Sequence, residues 1–82
     1  MEPNLNYGEA LQLLKDGKKV ARRGWNGKDL WLELQVPDAY SKMTLPYIFI
    51  SYPADAQNTL GARVPWLASQ TDELADDWHR VP

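Results

Sequence analysis

The sequence contains no cysteine and a single histidine, His79. Without cysteine there are no disulfides, no thiolate metal sites and no thiol nucleophile. One histidine cannot make a two-histidine metal site, and it leaves a Ser-His-Asp triad no redundancy. Ser41, Ser51 and Ser69 lack the context of a nucleophile elbow, and no glycine-rich phosphate loop of the P-loop or dinucleotide type is present. No stretch approaches the roughly 18 apolar residues of a membrane span. Lys15, Lys18, Lys19, Arg22 and Arg23 follow the first helical pattern instead of preceding a long apolar run, so no signal peptide is read. The expectation is a soluble, cytoplasmic protein with no bound cofactor. Basic excess is also missing: nine Lys and Arg stand against eleven Asp and Glu, a net charge of −2. Residues 1–42 carry +1 and residues 43–82 carry −3. That balance argues against duplex nucleic acid, whose many phosphates must be neutralised, but not against a small anionic ligand. With 82 residues the chain is read as one domain, 1–82, of marginal core. A small chain without staples gains stability by association, which points to an oligomer.

What the sequence does have is aromatic: four Trp, four Tyr and one Phe, too many for a disordered chain. Asn6 is a helix cap with Glu9 placed to return its bond, and Tyr7, Ala10, Leu11 and Leu14 recur at helical spacing. Gly17 ends that helix, which is read as 7–16. Lys19 to Arg22 alternate, and Gly24-Trp25-Asn26-Gly27 is a hairpin signal. Leu30, Leu32, Leu34 and Val36 then repeat at period two, with Trp31, Glu33 and Gln35 on the other face. Residues 37–46 and 53–60 read as loops around a strand near 47–52, bounded by Pro46 and Pro53. Arg63-Val64 is a short strand candidate. Ser69 and Asp72 form a second capping box, after which Leu74, Ala75 and Trp78 give a brief helical stripe. Arg80-Val81-Pro82 reads as a closing edge strand. The fold class is α+β: a single small domain, its N-terminal helix packed on an antiparallel sheet, with a short C-terminal helix.

Asp72, Asp76 and Asp77 fall on the second helix in this reading. Asp72 and Asp76, four apart, share a face and have the spacing to share a metal or a proton. The plainer reading, Asp72 as a cap and the other two as solvated charges, is the stronger, so no metal site and no catalytic residue are assigned. The aromatic neighbourhoods say more. Trp25 stands beside Arg22, Arg23 and Asn26, and Trp66 beside Arg63 and the Ser69 cap. A ring stacks a nucleobase, a guanidinium takes a phosphate, and Ser69, Gln70 and Thr71 offer donors at a helix start. Asp72 there suits ribose hydroxyls. Trp78, on the helical stripe, reads as core, and Trp31 as a ring able to pack on another subunit. Turn and loop positions suit Trp25 and Trp66 equally to a surface pocket or to the core. A peptide-binding aromatic cleft carries the same signature.

Two blocks carry a resemblance. Tyr7-Gly8-Glu9-Ala10-Leu11, Lys15 through Arg22 and Gly24-Trp25-Asn26-Gly27 form the first, and Val64-Pro65-Trp66-Leu67-Ala68-Ser69-Gln70-Thr71-Asp72 with Leu74-Ala75 and Asp77-Trp78 the second. Together they cover about half the chain, and they resemble the signatures of the small phage proteins of the Thoeris anti-defence family, second type. Characterised members are not enzymes. They are sponges, oligomers reported as tetramers, that sequester immune signals: a cyclised ADP-ribose made by a TIR-domain protein and, for some members, cyclic di- or trinucleotides. Their pockets form where subunits meet, and aromatic residues stack the adenines. The resemblance therefore implies a small cyclic nucleotide as partner, self-association to a dimer or tetramer, and no enzyme activity. It puts Tyr7, Trp25 and Trp66 on the stacking walls and Asn26, Ser69, Thr71 and Asp72 near the polar rim. Residues 37–60 resemble the family least, and some members are longer there. The competing reading is a small protein-interaction module using the same aromatic cleft; a structural phage subunit comes third.

Overall fold

The computed structural model describes residues 4–25, 29–53 and 61–82. Asn26 and Gly27 of the hairpin signal, and residues 54–60 of the second loop, lie outside the described residues.

Helix α1 (Tyr7–Lys15) starts where its local chemistry says it should. The Asn6 side chain accepts the Glu9 N–H at 2.8 Å, and Glu9 accepts the Asn6 N–H at 3.0 Å. Gly17, at φ 83°, takes the left-handed turn that ends it. The chain then forms β1 (Lys19–Arg22), β2 (Trp31–Gln35), β3 (Tyr47–Ser51) and β4 (Arg63–Pro65), a five-residue helix α2 (Gln70–Leu74), and β5 (Trp78–Val81). The strands make one antiparallel sheet in the order β4-β3-β2-β1-β5. This is the single small α+β domain read from the sequence.

The path from β4 to β5 sets the architecture. Those strands are the two edges of the sheet, so the connection carrying Trp66 and α2 must cross β3, β2 and β1. Neighbouring strands lie about 4.8 Å apart, so the crossing spans close to 20 Å. It runs on the face that α1 covers, and α1 packs against β1, β2, β5 and α2. Ala10 and Leu14 of α1 meet Val20, Leu32, Ile50 and Trp78 to form the core. Burying a single Leu-sized side chain is worth about 1.5–3 kcal/mol, so a core this small leaves every member significant.

The register puts alternate residues on the other face. There His79, Ala21, Trp31, Ser51 and Arg63 form one cross-strand row, and Val81, Lys19, Glu33, Phe49 and Pro65 the next. Among the described residues no helix lies on that face. Lys19 Nζ sits 5.0 Å from the Trp31 ring centre, and the Arg63 guanidinium 5.9 Å from that of Phe49. Cations over rings shelter a face that lacks a second layer.

Three expectations need correction. Trp78 is fully buried, but it belongs to β5 and not to a helical stripe. Ala75 turns to ψ 150° and ends α2, and Leu74, placed on that stripe, is 83% exposed. Asp76 and Asp77 therefore lie beyond the helix, and Asp77 is not a solvated charge but an ion-pair partner of Arg22. Val36 leaves the strand before Pro37 and is exposed.

Candidate functional site

Of the four aromatic side chains in the two sequence blocks, three converge on the fourth, Trp78. Its ring centre lies 5.5 Å from Tyr7, 5.6 Å from Trp25 and 6.1 Å from Trp66. Trp25 and Trp66 are 6.3 Å apart at 59°. These are distances of direct ring contact. Trp25 and Trp66 therefore rest against each other and leave no slot between them for a base. Each offers only its outer surface. Tyr7, Trp25 and Trp66 are all half-buried and packed on the core, so they support the fold as well as facing outward.

A polar hub stands beside the rings. Arg22 Nη1 donates to Asp72 Oδ1 and Arg22 Nε to Asp77 Oδ1, both at 2.8 Å. Asp77 Oδ2 accepts the Gly24 N–H at 2.9 Å. Asp72 Oδ2 accepts from the Ser69 hydroxyl at 2.8 Å and the Ser69 N–H at 3.1 Å, while Ser69 Oγ accepts the Asp72 N–H at 3.1 Å. The Trp78 indole N–H donates to the Asp72 carbonyl at 3.0 Å. Burial acts to raise the Asp72 pKa, but bonds, chiefly those from Arg22 and Ser69, outweigh it and hold the carboxyl below its ordinary value. Asp77 is held low chiefly by its bond from Arg22. Tyr7 is pushed up by burial and by the nearby charges of Glu73 and Asp72.

The structure thus gathers Tyr7, Trp25, Trp66, Ser69 and Asp72 at one end of the helix-covered face. Thr71 is exposed on the first turn of α2, and Asn26 lies outside the described residues. The oxygens of Asp72 are largely occupied within the chain, and so are two of the Arg22 nitrogens. The capping box takes the Ser69 donors that the sequence offered to an anion.

A large groove lies on the other side. It has a volume of about 820 Å³ and is lined by Lys19, Arg23, Trp25, Trp31, His79 and Val81 among others. Among the described residues expected in a site, only Trp25 lines it. Lys19 reaches Trp31 through the β1–β2 pairing, and His79 joins them only through the β1–β5 pairing, 56 to 62 residues apart in sequence, so local patterns do not bring these residues together. Among the described residues no group of three or more His, Asp or Glu is placed to hold a metal ion, and no helix is long and apolar enough to cross a membrane.

The model of the Tad2-like family, described as the Thoeris anti-defense 2-like domain, matches residues 5–81. A curated relative, Thoeris anti-defense 2 of Bacillus phage SP01, is 38% identical over 91 residues, covering 99% of this chain and 99% of the relative. The match spans α1, the whole sheet and the aromatic cluster alike, and the chain belongs to the Thoeris anti-defense 2-like family.

Proposed function

We propose that this chain binds and sequesters a cyclic ADP-ribose-type or cyclic oligonucleotide immune signal and releases it unchanged. The observation that carries the reading is the position of Trp25. It belongs to the aromatic cluster with Trp66 and Trp78, and it also lines the 820 Å³ groove with Lys19, Arg23 and Trp31. That volume falls within the range of small-ligand sites, and the lining pairs flat rings with cations. The name of the phage relative, Thoeris anti-defense 2, fits a chain that acts against a defence system.

Capture works by stacking on outer ring surfaces, worth about 1–3 kcal/mol per base, with Lys19 and Arg23 drawing the phosphates. Tyr7, Ser69, Thr71 and Asp72, which do not line the groove, are proposed as rim contacts for a ligand that reaches over Trp25 to the helix-covered side. The groove is open, and a second copy of the chain closes it; dimers or tetramers are the sequestering form. Light scattering after size exclusion tests that assembly, and a mass of 9.4 kDa removes the shared-pocket version.

The deciding experiment incubates cyclic ADP-ribose or a cyclic dinucleotide with the protein, denatures the protein by heat and analyses the supernatant by mass spectrometry. Intact nucleotide in amounts matching the protein supports sequestration; cleaved product in excess of protein identifies an enzyme. Trp66→Ala weakens binding about 5- to 150-fold if its ring stacks a base. If the folded variant binds as wild type does, Trp66 serves the fold alone.

The second reading, a protein-interaction module, has its own observation. Tyr40, Met43 and Leu45 are exposed, and Met43 and Leu45 line a cleft of about 490 Å³ with Pro46, Tyr47 and Pro65. A defined host protein captured through these side chains, with no nucleotide bound by calorimetry, favours it.

A further inference from the structure

Helix α2 has an anchoring problem. None of its residues is buried, and five residues are too few to hold a helix by themselves. Yet the segment from Trp66 to Asp72 has to be fixed over the sheet for Trp66 to meet Trp25. Trp25 follows β1 and Trp66 follows β4, and two strands lie between those strands in the sheet. Backbone pairing alone therefore does not set one ring against the other.

Arg22 joins the two segments. One nitrogen holds Asp72 on α2, and another holds Asp77, whose second oxygen holds the Gly24 N–H next to Trp25. The Trp25 backbone N–H donates to the Arg22 carbonyl at 3.4 Å, so that ring rides on the same turn. Guanidinium geometry suits this task, because a planar fork serves two carboxylates at fixed angles whereas an ammonium is a single point. Gly24 has been fitted to this arrangement as well: a Cβ there would stand 2.8 Å from Asp77 Oδ2. The cluster is also a poor phosphate receptor, since Arg22 already faces two carboxylates.

For its functional consequence this rests on the sequestration reading. We propose that Arg22 is a positioning residue. Arg22 also lines the groove, but with two of its nitrogens held by carboxylates it acts by setting Trp25 and Trp66 against each other through Asp72 and Asp77, and that arrangement is what the nucleotide recognises.

The test compares wild type, Arg22→Lys and Gly24→Ala by near-ultraviolet circular dichroism of the indoles, by thermal unfolding, and by calorimetric binding of cyclic ADP-ribose and of a cyclic dinucleotide. Trp25→Phe first assigns the part of the indole signal that comes from the ring cluster. Arg22→Lys keeps the charge and loses the fork. We expect it to fold, to lose most of the cluster signal, and to bind about 10-fold more weakly, the scale of one charge-assisted bond. Gly24→Ala leaves Arg22 intact and displaces Asp77 from the other side, so it moves both readouts in the same direction by less. Wild-type signal and affinity in both variants overturn the proposal even if they melt lower, because a purely structural ion pair predicts that result. Lost affinity with an unchanged indole signal makes Arg22 a ligand contact and also overturns it, as does a changed signal with unchanged affinity. If wild type binds neither nucleotide, the sequestration reading has failed, and the indole signal alone decides whether Arg22 positions the rings.

Discussion

Helices α1 and α2 open with the same device, a capping box, yet α1 buries Ala10 and Leu14 while α2 buries nothing. The first is held by apolar contact with Val20, Leu32, Ile50 and Trp78. The second is held by Asp72, which ties it to Arg22 and, through its carbonyl, to the Trp78 indole. A capping box thus marks where a helix begins and says nothing of what keeps it in place. The apolar anchor serves the fold; the polar anchor sits among the rings of the candidate site.

That contrast breaks most visibly at Trp78, on which both helices lean. Trp78→Ala removes the shared floor and costs about 3–5 kcal/mol, read as a collapse of the denaturant midpoint. Leu14→Ala strikes only the α1 anchor. It is 1% exposed, and its truncation costs about 2–5 kcal/mol in the same melt. Asp72→Ala strikes only the α2 anchor and costs about 1.5–3 kcal/mol, the value of hydrogen bonds to a charged group. Its distinguishing mark is a change in tryptophan emission that Leu14→Ala lacks. The α2 anchor is also the acid-sensitive one. Asp72 and Asp77 both have lowered pKa values in the folded chain. Their contribution is therefore complete above the unfolded carboxyl value of about 3.9 and is lost as pH falls through the lowered folded values. Melts from neutral to strongly acid pH show this loss in wild type and a flatter profile in Asp72→Asn with Asp77→Asn. The smallest effect belongs to Leu74→Ala. At 83% exposure it shifts stability by no more than about 0.5 kcal/mol, and a larger loss would mean that α2 has an apolar anchor after all.

The same division explains what could be read from the sequence. Helix α1, both caps and the β2 alternation were legible because each is decided within a few residues: Asn6 with Glu9, Ser69 with Asp72, Leu32 against Trp31. Trp78 was placed in the core for the wrong reason. Leu74, Ala75 and Trp78 have helical spacing, but over so short a stretch the spacing also fits a helix end followed by a strand. Asp77 looked like a surface charge because its partner, Arg22, lies 55 positions away. The aromatic residues of the candidate site were picked out by type and neighbourhood. Their convergence on Trp78, the absence of a slot between Trp25 and Trp66, and the groove joining Lys19 to His79 all depend on strand order, which no local pattern encodes.

The pairing of Lys19 with Val81 also governs the order of assembly. The β2–β3 and β3–β4 pairings join consecutive strands, whereas β1 and β5 must find each other across most of the sequence. Such distant pairing slows folding through the entropy of loop closure. Until β5 arrives, Leu14 and Val20 lack Trp78, and α1 has no finished surface to dock on. Pairing of β5 therefore completes the surface for both the helix and the aromatic cluster, and neither is whole without it. Any capacity to hold a ligand appears only with the complete sheet.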